Sequence, residues 1–307
     1  MPLGRHEASA SQKPDRSWLA DHPLLVYAVL AYAITWAFWL PYVLSPAGVG
    51  LLSIRVPNIT LLFGQYGPTV AAFTLVLATG GRPALRQLLR RYLRWRVHVA
   101  WYLFVVFGPL MLLVVTLVGV VGVAPFLTLW PDGPSIMLEY LASVLVLKVI
   151  LGGALGEEAG WRGFVLPRLQ ARYGALRGTL ILGAIWAGWH APLYLDPVRV
   201  AQNPPIPFAV GVLGMAVVLT WVYNRTGGSL LLVILLHAAI NSAPPAVRDF
   251  EYGLSPRAFF DLVVAGYIAA ALLIIGATRG RLGYRPDTEG LSLPSRRSQK
   301  DSLSPDE

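Results

Sequence analysis

Residues 99–122 read VAWYLFVVFGPLMLLVVTLVGVVG, an apolar run that contains no charged side chain. The hydrocarbon core of a bilayer is ~30 Å thick, and a helix that rises about 1.5 Å per residue crosses it with about 20 apolar residues. This run therefore has the length and the composition of a membrane-spanning helix.

Similar runs recur along the whole chain. Of its 307 residues, 55% are hydrophobic and only 13% are charged, and a mean hydropathy of +0.58 is too high for an ordinary soluble domain. We predict an all-α, polytopic membrane protein, a bundle of about eight transmembrane helices. Seven is the alternative count, because the seventh run is short. The runs lie near 24–44, 58–79, 99–122, 136–160, 178–195, 206–223, 229–244 and 257–277.

The net charge of +9 would suggest nucleic acid in a soluble protein, but here the arginines crowd into short connections between apolar runs. Such a bias marks cytoplasmic connections. It predicts that both termini are cytoplasmic and that nucleic acid is not a partner. The composition, rich in Arg and Leu, favours a multi-pass protein of a prokaryotic inner (plasma) membrane. The arginines that carry the bias are Arg82, Arg86, Arg90, Arg91, Arg94, Arg96, Arg168, Arg172 and Arg177.

We predict three parts along the chain. Residues 1–23 are polar and form a cytoplasmic N-terminal segment, and the first apolar run lacks a cleavage site and is expected to stay as a span. Residues 24–285 form one transmembrane domain with its motif core at 140–245. Residues 286–307 are rich in Ser, Pro, Asp and Arg, which is typical of a disordered cytoplasmic tail.

The chain has no cysteine, which excludes disulfides, thiolate metal sites and a cysteine nucleophile. Ionisable residues at membrane depth are costly and are functional candidates by default. Three polar clusters stand inside apolar runs. They are Glu157-Glu158-x-x-x-Arg162, Trp186-x-x-x-His190 and His237-x-x-x-Asn241.

In the first cluster, Glu158 and Arg162 are four residues apart and are expected to pair on one helix face. Glu157 points about 100° away around the helix, which leaves it free to act as a general base. The alternative is a charge cluster at the membrane interface.

The other two clusters each place two side chains one helical turn apart. Trp186 is expected to shield His190 from lipid, although a lone histidine of this kind is more often a hydrogen-bonding partner between helices. His237 and Asn241 can both donate hydrogen bonds, so they suit a pocket for a negatively charged oxygen. Their alternative role is to join two helices.

Counting residues along the helices predicts the depth of the site. His190 and His237 lie about 18 Å and about 12 Å from the cytoplasmic ends of their runs. Glu157 can meet them only if the fourth helix continues toward Val165, where Pro167 would end or bend it. We therefore expect a pocket that is sunk in the bundle and open to the cytoplasmic side.

The three motifs, in this order, resemble those of the CAAX-protease and bacteriocin-processing (CPBP, or Abi) family of intramembrane endopeptidases. The resemblance covers roughly residues 140–245, and Trp186 stands where the family often has Phe. It implies an eight-helix bundle whose site is reached from the cytoplasm. It also implies two partners, a peptide or protein substrate and the lipid bilayer. The resemblance leaves open whether the substrate carries a lipid or a membrane anchor.

The resemblance also implies roles for individual residues. Glu157, together with His190, would activate a water molecule that attacks the peptide bond directly, and His237 and Asn241 would stabilise the oxyanion. The supporting residues would be Glu158, Arg162 and Trp186.

We expect no metal cofactor, since the chain has no His-Glu-x-x-His helix and Glu157 cannot easily be both a metal ligand and the base. The alternative is a catalytic zinc bound by Glu157, His190 and His237.

Two other classes of function fit the same residues. Buried acids and histidines relay protons in proton-coupled transporters, although the chain shows no internal repeat. A catalytically silent immunity or scaffold membrane protein would use the clusters only to hold helices together.

Overall fold

A computed structural model describes residues 21–127, 130–248 and 253–286, and the regular secondary structure in these ranges is entirely helical. Nearly all of the predicted N-terminal segment and tail lie outside the described residues. The helices are α1 (Pro23–Leu44), α2 (Ile59–Gln65), α3 (Gly67–Arg90), α4 (Val99–Val121), α5 (Ala124–Leu127), α6 (Gly133–Ala142), α7 (Lys148–Ile150), α8 (Ala154–Glu158), α9 (Leu166–Tyr173), α10 (Ala175–Trp189), α11 (Pro197–Gln202), α12 (Pro205–Arg225), α13 (Leu230–Arg248) and α14 (Pro256–Thr278). Segments of π-helix (Ser143–Leu147 and Ala159–Val165) and 3-10 helix (Trp130–Asp132 and Ala191–Leu195) connect some of them.

The prediction of an all-α, multi-pass membrane protein is confirmed. Within the described ranges, seven helical segments are long and apolar enough to cross a bilayer. The predicted fifth span corresponds to α10, which has 15 residues and falls short of that length. The seven segments are Pro23–Leu44, Ile59–Arg90, Val99–Val121, Gly133–Ile150, Pro205–Arg225, Leu230–Val247 and Pro256–Thr278.

The predicted fourth span, 136–160, is not one continuous helix. It breaks at residues 151–153, where Gly153 has a φ of 88°, a conformation that L side chains rarely adopt. The chain resumes as the short helix α8 and then widens into the π-helical segment Ala159–Val165. The break and the wide turn together carry the first polar cluster.

Pro167 does not end the helix that follows. It lies in the first turn of α9, where the missing N–H of proline is tolerated, and the helix continues to Tyr173. The helical chain that resumes after the break therefore extends past Val165, as the predicted meeting of Glu157 with the two histidines requires.

The arginine-rich connection after the second span is also partly helical. The chain kinks at Gly81, which has a φ of 64°, and α3 then continues to Arg90 with Arg82, Arg86 and Arg90 exposed. The sequence analysis placed this stretch in a link between spans.

Hydrogen bonds to backbone carbonyls tie the arginine-rich segments together at one end of the bundle. Leu230 N donates to the Arg91 carbonyl at 3.0 Å, and Ser229 Oγ donates to the Arg94 carbonyl at 2.7 Å. Asn224 donates to the Leu282 carbonyl, which brings the segment after α14 to the same end. We call this the Arg-rich end. The connections 45–58 and 190–204 lie at the opposite, distal end.

Candidate active site

A cavity of about 200 Å³ lies within the bundle, and the predicted residues Glu157, His190, His237 and Asn241 all line it. They come from α8, the end of α10 and α13. Ten other residues line the cavity, and the sequence analysis had assigned a role to only one of them, Trp186. These are Trp39, Gln65, Gly152, Trp189, Leu193, Arg199, Phe208, Val212 and Met215, together with the predicted Trp186.

Glu158 and Arg162 pair as their spacing predicts. Arg162 Nη1 donates to Glu158 Oε1 at 2.9 Å, and both side chains are fully buried. His237 Nδ1 donates to the same oxygen at 2.7 Å. A carboxylate in a dry interior needs such partners to offset its lost hydration. Glu158 therefore anchors His237 of α13 to the first cluster.

Trp186 covers this buried pair. The Arg162 guanidinium carbon lies 4.6 Å from the centre of the indole ring, which is cation–π distance. The same indole meets the His237 ring edge to face, with the ring centres 5.4 Å apart. The aromatic residue expected to shield His190 therefore also packs on two other members of the cluster.

Glu157 is 4% exposed and receives hydrogen bonds on one oxygen. Trp186 Nε1 donates to Glu157 Oε2 at 2.7 Å, and Trp161 Nε1 donates to the same oxygen at 3.4 Å. Within the described residues, Glu157 Oε1 has no protein donor. The sequence analysis missed both indole donors, although Trp161 stands one turn after Glu157.

Gly153 keeps open the space beside Glu157 Oε1. A Cβ atom at this position would lie 2.5 Å from that oxygen and 3.4 Å from the Gln65 carboxamide. Glu157 N also donates to the Gly153 carbonyl at 2.9 Å, so the glycine sets where α8 begins. The break in the fourth span thus positions the carboxylate and leaves room at its free oxygen.

His190 caps the C-terminal end of α10, where its Nδ1 lies 2.9 Å from the Trp186 carbonyl oxygen. A carbonyl only accepts hydrogen bonds, so Nδ1 carries the proton and a neutral imidazole leaves Nε2 bare. The ring is held edge to face by Trp189 at 4.7 Å and by Phe208 at 5.0 Å, measured between ring centres. His190 can accept a proton or a hydrogen bond at Nε2.

Asn241 ties α13 to the break in the fourth span. Its Nδ2 donates to the Gly152 carbonyl at 3.0 Å, which satisfies a backbone group that the broken helix leaves without a partner. An amide nitrogen carries two hydrogens, so one remains for a ligand.

Within the described ranges, no three His, Asp or Glu side chains form a group with the spacing of a metal site. The alternative zinc ligands Glu157, His190 and His237 all line this cavity. Metal independence itself remains a prediction.

The cavity lies toward the distal end of the bundle. Trp39 is in the last two turns of α1, Gln65 ends α2, and Phe208 is in the first turn of α12. From Glu157 the chain continues toward the Arg-rich end, and Trp161 and Phe164 on this stretch are buried. The sequence analysis placed both the arginine-rich connections and the mouth of the pocket on the cytoplasmic side. The structure places the lining residues Trp39, Gln65 and Phe208 at the distal end, away from the arginine-rich connections, so a mouth at that end would not share their side of the membrane.

These features define a polytopic membrane protein with a buried acid–histidine cluster that lines a cavity. Residues 139–243 match the family described as Type II CAAX prenyl endopeptidase Rce1-like. The chain is also 30% identical to CAAX prenyl protease 2 of Methanococcus maripaludis over 105 residues, which are 32% of this chain and 39% of that protein. The match thus spans about two fifths of the relative's length. All three polar clusters lie within residues 139–243, so the resemblance to CAAX proteases is confirmed over this segment.

Proposed function

We propose that the protein is an intramembrane endopeptidase of the CAAX-protease type, in which a water molecule attacks the peptide bond directly. The observation that carries the proposal is that Glu157, His190, His237 and Asn241, from three separate motifs, line a single cavity. The similarity of residues 139–243 to type II CAAX prenyl endopeptidases supports the same chemistry.

Glu157 is the general base in this mechanism. Two indole donors on Oε2 stabilise the carboxylate form, and Oε1 is left to take a proton from water. The bare Nε2 of His190 accepts the second hydrogen of the same water and orients it. The water oxygen then bonds to the carbonyl carbon of the substrate. Glu157 finally passes its proton to the leaving nitrogen, and no acyl-enzyme forms.

His237 and Asn241 bind the oxyanion that forms during this attack. Because His237 Nδ1 donates to Glu158, Nε2 carries a hydrogen only in the imidazolium form, which the neighbouring carboxylates favour. Arg162 then balances the charge of Glu158, and the imidazolium balances that of Glu157. The second amide hydrogen of Asn241 is the other donor. Donors fixed in a dry site stabilise such charge strongly.

We propose that the site works without a metal, since the chain has no His-Glu-x-x-His helix and Glu157 cannot easily be both a metal ligand and the general base. Elemental analysis of the purified, active protein tests this proposal. A stoichiometric zinc that is lost together with activity would favour the alternative set of Glu157, His190 and His237.

We propose that the substrate is a peptide or protein at the membrane. We also propose that the protein resides in a prokaryotic plasma membrane. The test compares the peptide termini of the membrane proteome in host cells that express the wild type or Glu157→Gln at equal levels. Glu139→Gln is the matched control, because Glu139 is an exposed acid on α6, outside the cavity lining. Termini that require Glu157 but not Glu139 would identify the substrate. Identical sets of termini in all three strains would contradict peptidase activity.

A further inference from the structure

Arg199 lies in the connection at the distal end, on α11, and is one of the residues that line the cavity. It is the one Arg or Lys among the described lining residues. The mechanism proposed above does not use it. A fixed positive charge in the wall of a substrate cavity is therefore left to be explained.

No ion pair balances this charge within the described residues. The ion pairs found there involve Arg162, His237 and Arg257. Asp196 is close in sequence, but its carboxylate accepts from Val198 N at 2.9 Å and caps α11. The guanidinium of Arg199 instead lies 5.9 Å from the centre of the Tyr194 ring. An anionic group entering the cavity would meet a cation that has no counterion among the described residues.

A series of ring contacts limits the distance between Arg199 and His190 in the proposed catalytic centre. The Tyr194 and Phe208 ring centres are 5.3 Å apart, and those of Phe208 and His190 are 5.0 Å apart. An extended peptide advances about 3.3–3.6 Å per residue. Only a few residues of substrate therefore fit between a bond cleaved near His190 and a group bound by Arg199.

The rest of the cavity wall is mostly apolar and aromatic. It suits a short stretch of apolar side chains that ends in a single negative charge, which is the chemistry of an apolar peptide C-terminus. A guanidinium binds a carboxylate through two parallel hydrogen bonds and is well matched to this group. The wall residues are Trp39, Trp189, Leu193, Phe208, Val212 and Met215.

We propose that Arg199 is a specificity-determining residue that binds the C-terminal carboxylate of the substrate and thereby fixes how far from the chain end the bond is cut. This inference rests on the proposed peptidase function. It commits to a terminal carboxylate, and the carboxylate of an internal Asp or Glu is a competing outcome of the test.

The test uses two pools of synthetic dodecapeptides with the last four positions randomised among apolar residues, one pool with a free C-terminal acid and one with an amide. Cleavage is measured with the full-length wild type, Arg199→Gln, Arg199→Lys and Arg257→Gln in detergent. Arg257 is the matched control, since it lies in the first turn of α14 and forms an exposed pair with Asp261 at 2.8 Å. Binding of the labelled pools is measured separately with Glu157→Gln, alone and combined with Arg199→Gln.

The wild type is expected to favour the acid over the amide by roughly 10- to 100-fold, the range for a hydrogen bond to a charged group. Arg199→Gln should bring this ratio near one, because cleavage of the acid pool falls while cleavage of the amide pool does not. Arg199→Lys should restore part of the ratio, and Arg257→Gln should leave it unchanged. Equal use of acid and amide by the wild type would overturn the proposal, as would an unchanged ratio in Arg199→Gln. The proposal would also be overturned if peptides with an added internal Asp or Glu were cleaved in preference to peptides with only a C-terminal acid.

The binding measurements separate this proposal from the proposed function. If no pool is cleaved, but the Glu157→Gln protein binds the acid pool through Arg199, the carboxylate site stands and the peptidase mechanism fails. If peptides are cleaved and neither variant of Arg199 changes the acid-to-amide ratio, the peptidase stands and the role of Arg199 is refuted.

Discussion

Trp186 Nε1 donates to Glu157 Oε2 at 2.7 Å, across a separation of 29 residues in the chain. The backbone carbonyl of the same tryptophan accepts from His190 Nδ1 at 2.9 Å. One residue of α10 thus holds the proposed base through its side chain and fixes the tautomer of its partner through its main chain. Replacing the side chain alone separates the two contacts.

Trp186→Phe is expected to lower kcat/KM by about 2- to 12-fold, which corresponds to one net hydrogen bond of about 0.5–1.5 kcal/mol. The loss stays modest because Trp161 still donates to Glu157 and the backbone contact to His190 remains. The measurement is peptide cleavage in detergent. Trp221→Phe is the control, because Trp221 packs against Trp101 at 5.1 Å and does not line the cavity. Equal losses in the two variants would assign the effect to lost packing.

The sequence predicted contacts between residues close together in the chain and missed contacts between residues far apart in it. The pairing of Glu158 with Arg162 follows from an i, i+4 spacing and was predicted. The bond from His237 to Glu158 joins residues 79 apart, and no local pattern specifies it. Periodicity places a side chain on a helix face, but helix packing decides which face it meets.

The break in the fourth span shows a signal that was present and not used. Two adjacent glycines, Gly152 and Gly153, stand before the first polar cluster with three residues between, and glycine pairs mark helix breaks. The apolar composition around them led instead to one long span. The side of the bundle on which the cavity lies was also beyond the sequence, because it depends on the helix ends that line the cavity, such as those carrying Trp39 and Phe208.

Gly153→Ala is expected to reduce kcat/KM by roughly 100-fold, since the new methyl group would displace Glu157 Oε1, which lies 2.5 Å from that site. Gly122→Ala is the matched control. Gly122 has a φ of 79°, close to the 88° of Gly153, but nothing lies within 4 Å of a Cβ there. Both changes should cost about 1–3 kcal/mol of stability from backbone strain, measured by thermal unfolding. Full activity in Gly153→Ala would contradict the placement of the carboxylate.

Arg162→Met is expected to lower the free energy of unfolding by about 3–5 kcal/mol, because it leaves the Glu158 carboxylate buried beside His237 alone. The double variant Glu158→Leu, Arg162→Met removes both charges and should recover most of this loss. It should remain inactive, since His237 then has no carboxylate to hold it. Thermal unfolding and peptide cleavage are measured on the same preparations. A double variant less stable than Arg162→Met would show that the pair contributes more than charge compensation.

The absence of cysteine from the chain allows the position of the cavity across the membrane to be tested directly. Val198→Cys marks the distal end beside the cavity, where Val198 is 64% exposed, and Leu93→Cys marks the Arg-rich end, where Leu93 is 74% exposed. Because the positive-inside rule predicts that the arginine-rich connections face the cytoplasm, a membrane-impermeant maleimide added to intact cells should label Val198→Cys. It should label Leu93→Cys only after lysis.

Each variant is the control for the other, since both carry one cysteine in the same protein. The expected pattern places the cavity in the half of the membrane away from the cytoplasm, so a substrate would have to reach it from that side or within the bilayer. The reverse pattern would refute the cytoplasmic orientation of the Arg-rich end. It would place Glu157 and Arg199 in the cytoplasmic half, where the tail of a cytoplasmic protein could enter the cavity directly.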